Sequence, residues 1–476
     1  MLSLDFVDQL KTYPATDVLV VGSGPSGLGA AISAARNGAR SVRIIDRFGF
    51  VGGNMTAGLV GPCMTSFSLD GEIQLVRGIF DEFVRRMEST GGALHPSRVD
   101  SGTGYSGFMV FGHERVTPFD PEAAKYVGMQ MLEEAGVELM LHTFVADVVT
   151  DGREVRGVVV ASKDGLGYVP ASVVIDCTGD GDIAARAGAQ FDYGRESDGE
   201  VQPMTLFFRI KNVDDDAVDA YARSHPENRF PYEDLVTAAR EDGSYPVPRR
   251  GVQLFRTPEP GVWRINTTRV LGKNGTDVAD LTSAEVEARH QVESLLRFFR
   301  DCLPGLENSQ LLDTATTIGV RETRRIRGTY TLTFEDLQQG RHFEDVIAVA
   351  GYPVDIHNPK SSDGPFDDGI PPTANIYEIP YRTLTPVDLD NVLISGRSLS
   401  ATHEALAAVR VMPPCFAMGE AAGIAAAWAI RDGETIHDTD VPALQRQLLA
   451  QGAYLGPHVE RSFEPASSTA APSFHH

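Results

Sequence analysis

The sequence predicts an α/β fold: a parallel-sheet domain split between the two ends of the chain, with an α+β domain inserted between its halves. Three observations lead there. The chain opens on a strand, a glycine turn, a helix and a second strand over residues 17–46. Mostly apolar runs at Val173–Cys177 and Asn391–Ser395 each end in a glycine turn, as strands delivering their carboxyl ends to one crevice do. Between about 205 and 373 the pattern changes to spaced strands, polar-faced helices and a loop rich in Pro, Gly and Asp.

Each element has a local reason. Asp17–Val21 is a run of β-branched and apolar residues, the pattern of a buried parallel strand. Ser26–Arg36 is a helix of small residues closed by Asn37-Gly38, and Ser41–Asp46 is the second strand. Asp120-Pro121 supplies an N-cap and first helical residue for a helix over 119–135. Three short strands follow at 137–142, 145–150 and 155–161. In the inserted part, 205–210 and 263–270 read as strands, with helices near 213–223, 232–241 and 283–300 and a loop over 356–373. Residues 413–431 form a long helix of small residues. The expected division is 1–205 plus 375–457 for the sheet domain, 206–374 for the inserted substrate or cap domain, and 458–476 for a flexible tail.

Composition narrows the function classes. The chain has 476 residues, room for two or three domains around a large core. Its 65 acidic and 42 basic residues give a net charge of −23, which repels nucleic acid and anionic membranes and sets both aside as partners. Cys63, Cys177, Cys302 and Cys415 are too few and too scattered for a disulfide framework or a zinc site, so no metal is expected. No secretory n-region precedes an apolar run, and no stretch of about 18 apolar residues could span a bilayer. A reduced cytoplasmic protein is the expectation. The oligomeric state stays open, a homodimer being one allowed state.

The opening turn carries the chemistry. In Gly22-Ser23-Gly24-Pro25-Ser26-Gly27, Gly22 permits the tight turn, Gly24 lets backbone approach a pyrophosphate, and Gly27 packs helix on strand. The helix N-terminus offers free N–H groups to phosphate. Asp46 ends the second strand nineteen residues beyond Gly27, where a carboxylate takes ribose hydroxyls and disfavours a 2′-phosphate. A ligand-free glycine turn is the alternative. Gly102-Thr-Gly104-Tyr-Ser-Gly107 has the same spacing but follows no strand and opens no helix, so it reads as a loop, and no second dinucleotide domain is expected. Further turns follow the other strands: Phe48–Asn54 with paired Gly52-Gly53, Thr178-Gly-Asp-Gly-Asp182, and Gly396-Arg397-Ser398.

With these motifs in view, the chain resembles the broad FAD-dependent oxidoreductase family, whose Rossmann-like cofactor fold is similar to that of glutathione reductase and the fumarate reductase flavoproteins. The resemblance rests on DVLVVGSGPSGLGAA, RFGFVGGNMTAGLVGP, VVIDCTGDGDIAARAGA, GVRETRRIRGTY and NVLISGRSLSATHEALAAVRVMPPCFAMGEAAGIAAA, and runs from Asp17 to about Arg431. It implies that Gly22, Gly24, Gly27, Asp46, Gly52, Gly53, Gly181, Asp182, Gly396, Arg397 and Arg410 line a non-covalent FAD. The positions Ser23, Pro25, Ser26, Arg47, Asn54, Val145, Thr178, Gly179 and Met412 complete the expected cofactor set.

Candidates for catalysis lie near the last motif. Met412-Pro413-Pro414 starts a helix whose dipole would face the flavin's pyrimidine edge, with Arg410 adding positive charge where reduction places negative charge. A plain ion pair of Arg410 with Glu404 is the alternative. His403, in the loop before that helix, and His357 are candidate proton acceptors, though each equally suits a structural, hydrogen-bonded histidine. Arg321, with Arg324 and Arg325 at near-helical spacing, could hold a substrate carboxylate or serve in ion pairs. Cys63 and Cys415 read as packing residues, and Tyr381 as a residue facing the substrate. The expected activity is hydride transfer between a small polar substrate and flavin. The alternatives are a monooxygenase, a C=C reductase, or a flavin-binding scaffold without turnover. Asp180-Gly181-x-x-Ala184-x-Arg186 approaches a monooxygenase turn, but Gly396-Arg397 departs from that class, and no WxWxIP segment suggests halogenation.

Overall fold

The computed structural model of the protein describes residues 7, 9–359 and 373–463. Five strands run parallel in the spatial order Glu138–Met140, Val42–Ile45, Thr16–Val21, the second half of Gly165–Asp176, and Val392–Ile394. This is an α/β fold with the expected opening βαβ unit, its helix spanning Pro25–Arg36. The first half of Gly165–Asp176 turns away to form an antiparallel meander with Phe144–Asp151 and Glu154–Ser162. Val173–Cys177 is therefore the end of a longer strand shared by two sheets. The alternating, half-exposed residues of its first half hid that continuity.

The helix Met412–Asp432 lies against Pro25–Arg36 with the two backbones almost touching. A Cβ on Gly419 would lie 2.1 Å from the Ser26 carbonyl oxygen, and one on Gly423 would lie 2.4 Å from that of Ala30. Ser33 Oγ donates across the seam to the Glu420 carbonyl at 2.7 Å. Small residues at this spacing permit the contact. It locks the two ends of the chain into one buried core that also holds Val18, Val20, Ile44 and Ile175.

The inserted part has its own core. A four-stranded antiparallel sheet, Leu254–Arg256, Trp263–Ile265, Phe208–Lys211 and Gln310–Thr314, is covered by helices at Asp215–Ser224, Glu233–Glu241 and Val278–Cys302. Trp263, Phe208 and Phe299 fill the space between sheet and helices. The expected strand 263–270 stops at Ile265; beyond it side chains take up backbone groups, Thr268 Oγ1 bonding the Leu206 backbone and Gln291 accepting from Arg269 N at 2.7 Å and donating to its carbonyl at 2.9 Å. Arg264 pins this sheet to the larger domain, donating to the Phe119 carbonyl at 3.0 Å and lying over its ring.

The second core ends near Val320, short of the expected 374. Val346–Ala350 and Tyr377–Pro380 pair with each other and pack in the larger core. Residues 360–372 of the expected loop lie outside the described residues, and 353–358 carry no regular structure. Where a flexible tail was expected from 458, Pro457–Phe463 is helical; 464–476 lie outside the described residues. Gly104–Ser106 is one short 3-10 turn against the inserted sheet, in keeping with a loop, and Gly107 packs on Phe255. Among the described residues, no helix is long and apolar enough to cross a membrane.

Candidate functional site

Three parallel strands end side by side, and their turns touch. Ser26 Oγ donates to Ser395 Oγ at 2.5 Å and lies 3.6 Å from Cys177 Sγ, joining the start of the first helix to the ends of both distant strands. Gly22, at φ +96°, has no room for a side chain: a Cβ would sit 2.4 Å from the Cys177 carbonyl oxygen. Gly27 is tighter, its Cβ position lying 1.9 Å from the Gly22 oxygen. Gly24 differs, since its Cβ direction meets only the Gly53 Cα at 3.9 Å. A side chain at Gly24 would occupy the open space in front of the helix N-terminus, where no side chain caps the free N–H groups and the first turn carries no acid. An opening of this kind, a cradle of free N–H groups, has the chemistry to hold a pyrophosphate.

Asp46 closes one end of this cradle. Its Oδ2 accepts from Ser23 N at 2.8 Å and Ser23 Oγ at 2.5 Å, and its Oδ1 accepts from Phe48 N at 2.9 Å. The carboxylate thus ties the glycine turn to the second strand and retains acceptor capacity beyond these three bonds. Thr143 N donates to the Asp46 carbonyl at 2.9 Å, which places Val145 beside this strand end. Gly52 N donates to the Ser23 carbonyl at 2.8 Å, which brings the paired glycines and Asn54 onto the cradle. Arg47 is exposed and lies against the Phe48 ring.

The second turn is built on Asp176, which the motif reading passed over. Its buried carboxylate accepts from Thr178 N, Thr178 Oγ1, Ile183 N and Ala184 N, and burial raises its pKa. Thr178 Oγ1 in turn accepts from Asp182 N, and Gly179 and Gly181 take positive φ in the same turn. Arg397 Nη2 donates to Asp180 Oδ1 at 2.8 Å, and Arg324 Nη1 reaches the Asp180 carbonyl and Asp182 Oδ1, each at 2.9 Å. Gly396, at φ +99°, turns the chain past Ser26.

The helix that carries Met412 begins there, with Val411 extended before it. His403 and Glu404 do not lie in a loop: His403–Val409 is a separate helix, capped by Thr402 Oγ1 accepting from Ala405 N. Pro413 has no N–H to continue that helix, so the chain breaks at Arg410–Val411 and restarts. Cys415 Sγ reaches the Arg410 carbonyl at 3.4 Å, and Cys63 Sγ lies 3.9 Å from Met412 Sδ. Burial pushes both thiols up to about 12, which suits packing residues.

The catalytic candidates divide. Arg410 has no pair with Glu404. Its Nη2 donates to the Asp355 carbonyl at 2.9 Å and to Gln202 Oε1 at 3.3 Å, and lies 3.6 Å from Asp355 Oδ2. His357 joins this group, with Nε2 3.3 Å from Asp355 Oδ1 and Nδ1 3.4 Å from Arg269 Nη1. Arg321 donates to the Pro203 carbonyl at 2.6 Å and Thr205 Oγ1 at 2.7 Å. Arg249 completes the group, bridging Gln253 Oε1 at 2.6 Å and Asn266 Oδ1 at 3.3 Å. Burial and the facing guanidiniums lower the Arg321 pKa, and burial with Arg321 keeps His357 neutral well below its usual range. Burial alone would raise the Asp355 carboxyl, but His357, Arg410 and Arg321 hold it far below the carboxylate range.

His403 stands outside this group. Its Nδ1 lies 2.8 Å from the Glu322 carboxylate, which also pairs with Arg325. Arg321, Arg324 and Arg325 part company because Arg324–Ile326 is a strand rather than a helix, so successive side chains point to opposite faces. Tyr381 spends its hydroxyl on the Ile436 carbonyl at 2.8 Å and has no contact with the arginine group. Apart from the catalytic candidates, His342, Glu378 and His458 bring three ligand-type atoms within 4.8 Å of one another, with the His342 side chain 72% exposed.

The sequence model of the family described as FAD dependent oxidoreductase matches residues 17–448. The chain belongs to that family. It is an oxidoreductase whose cofactor is FAD, and the uncapped helix, the open face of Gly24 and the acceptor at Asp46 fit that dinucleotide. No curated protein matches the sequence significantly. Similar solved structures include p-nitrophenol 4-monooxygenase from Pseudomonas putida, at 13% identity over 95% of this chain and 89% of that one, with a TM-score of 0.48. A geranylgeranyl bacteriochlorophyll reductase-like protein from Thermoplasma acidophilum aligns at 14% identity over 93% and 84%, with a TM-score of 0.46. L-proline dehydrogenase from P. horikoshii aligns at 14% identity over 92% and 99%, with a TM-score of 0.43.

Proposed function

We propose that this oxidoreductase transfers hydride between a small polar organic substrate and FAD, as a dehydrogenase or oxidase. The observation that carries the reading is the meeting of Arg410, at the restart of the chain before helix Met412–Asp432, with a buried Asp355–His357 pair. FAD, when bound, supplies the hydride acceptor. Gly22, Gly24, Gly27, Gly52 and Gly53 with the first helix N-terminus hold its pyrophosphate, Asp46 its ribose, and Asp180 and Asp182 brace the turn beside it. Arg410 and the N-terminus of Met412–Asp432 place positive charge toward the flavin end.

His357 takes the proton that leaves a C–OH or C–NH centre. Arg269 is an obligate donor, so its contact at Nδ1 puts the lone pair there and leaves the proton on Nε2, facing Asp355. Burial and Arg321 keep the imidazole neutral and able to accept. The Arg269 contact is long at 3.4 Å, so a substrate hydroxyl would compete with it for the Nδ1 lone pair.

Anaerobic addition of a metabolite panel tests this directly, because a hydride donor bleaches the flavin without oxygen. Bleaching that appears only with NADH or NADPH, followed by oxygen uptake, would favour the monooxygenase alternative instead.

A further inference from the structure

Among the described residues, the arginine group holds more positive charge than the carboxylates around it balance. Arg249 and Arg321 are 3% and 9% exposed, and their hydrogen bonds go to neutral oxygens: Asn266 and Gln253 for Arg249; Pro203, Thr205 and Asn266 for Arg321. Arg410 has one carboxylate within reach, Asp355, which also serves His357. Among the described residues, these three guanidiniums face one carboxylate, an excess of two positive charges. Guanidinium does not shed its proton under ordinary conditions, so deprotonation cannot relieve the excess. Buried like charges of this kind are kept where an anion completes them.

A second observation points to the same place. Gln202, 1% exposed, accepts through Oε1 from Arg410 Nη2 and His357 N, both at 3.3 Å, yet its buried Nε2 amide has no partner among the described residues. Arg410 Nε is likewise buried and unpartnered. Unused donors beside uncompensated guanidiniums form an oxyanion site rather than a packing arrangement.

We propose that the substrate is a small organic dianion, bearing two carboxylates or a carboxylate and a phosphoryl group, held by Arg249, Arg321, Arg410 and the Gln202 amide. One oxyanion satisfies Arg321 and Arg249 and the other meets Arg410 and Gln202. The carbon between them is thereby presented to His357. The assignment rests on the hydride-transfer reading for its use of the site, but the binding itself needs no turnover.

The test is equilibrium binding to oxidised, FAD-loaded enzyme, followed by calorimetry and by perturbation of the flavin spectrum. The probes are succinate, butyrate, succinamide and inorganic phosphate. Succinate is expected to bind at least tenfold more tightly than butyrate, with succinamide not binding. Phosphate matching succinate assigns the phosphoryl form, and phosphate failing assigns the dicarboxylate. Arg249→Gln is expected to weaken the tighter dianion at least tenfold while FAD content stays unchanged. Equal affinity for succinate and succinamide overturns the proposal, using wild-type protein alone. So does unchanged affinity in a folded, FAD-loaded Arg249→Gln variant. Dianion binding without flavin bleaching by any dianion would sink the hydride reading and leave the site standing.

Discussion

Glu420 sits in the middle of helix Met412–Asp432, 2% exposed, with its Oε2 accepting from Ile79 N at 3.2 Å and its Oε1 without a partner among the described residues. Burial pushes its carboxyl up from 4.5 to about 7, more than the Ile79 bond lowers it. The folded state therefore binds this proton more tightly than the unfolded chain. The contribution to stability is fully present below about pH 4.5 and is lost as pH rises through about 7. At about 1.4 kcal/mol per pH unit, the gap amounts to about 3 kcal/mol by pH 8. Glu420→Gln keeps an acceptor for Ile79 N and removes the titration. Its amide adds a pH-independent offset where Oε1 lacked a partner, so the slope is the quantity to read. Urea unfolding of both proteins at intervals from pH 5 to 8 gives that slope, because other titrating groups cancel in the difference. The variant is expected to gain on the wild type by about 2–3 kcal/mol across that range. A difference constant within error from pH 5 to 8 would refute the reasoning.

Asp46→Ala should weaken FAD retention by about 1–3 kcal/mol, since it removes ribose acceptors and loosens the Ser23 turn. Unchanged affinity in a FAD titration would show the ribose lies elsewhere. Gly27→Ala places a methyl 1.9 Å from the Gly22 oxygen and should yield colourless protein with a lowered melting temperature; a yellow, stable variant contradicts the cradle. Arg410→Met should lower the flavin potential and slow substrate-driven reduction while FAD still binds. If the variant only loses thermal stability, Arg410 merely holds Asp355. The neutral His357 should keep the reduction rate flat as pH falls through 6.5, the rate dropping only at lower pH. A fall beginning near 6.5 would point to an unburied base.

Much of the cofactor end was legible because its signals are local. The strand, glycine turn and helix at 16–36 need only adjacent residues, and so does the Pro413-Pro414 restart. Elements that depend on distant partners were not legible. Gly165–Asp176 changes sheets halfway, and no window on its own residues reveals that. His403–Val409 does not stand out as a helix in the sequence, because Thr402 caps it only four residues after the Gly396-Arg397-Ser398 turn. Arg249 carried no motif at all. It comes near Arg321 and Arg410 only through the tertiary fold, which no local window around residue 249 reveals. Asp176 was hidden for a related reason: its role is to cap backbone that follows it, and a single acid at a strand end announces no such task.

The central claim is that hydride passes between substrate and FAD at the Arg410–His357 group. Stopped-flow reduction of the holoenzyme under anaerobic conditions, with the best compound from the metabolite panel, tests it most directly. The wild type is expected to lose the oxidised flavin spectrum in a single turnover, and His357→Gln to do so about a hundredfold or more slowly with substrate affinity little changed. Reduction by His357→Gln at the wild-type rate would contradict it.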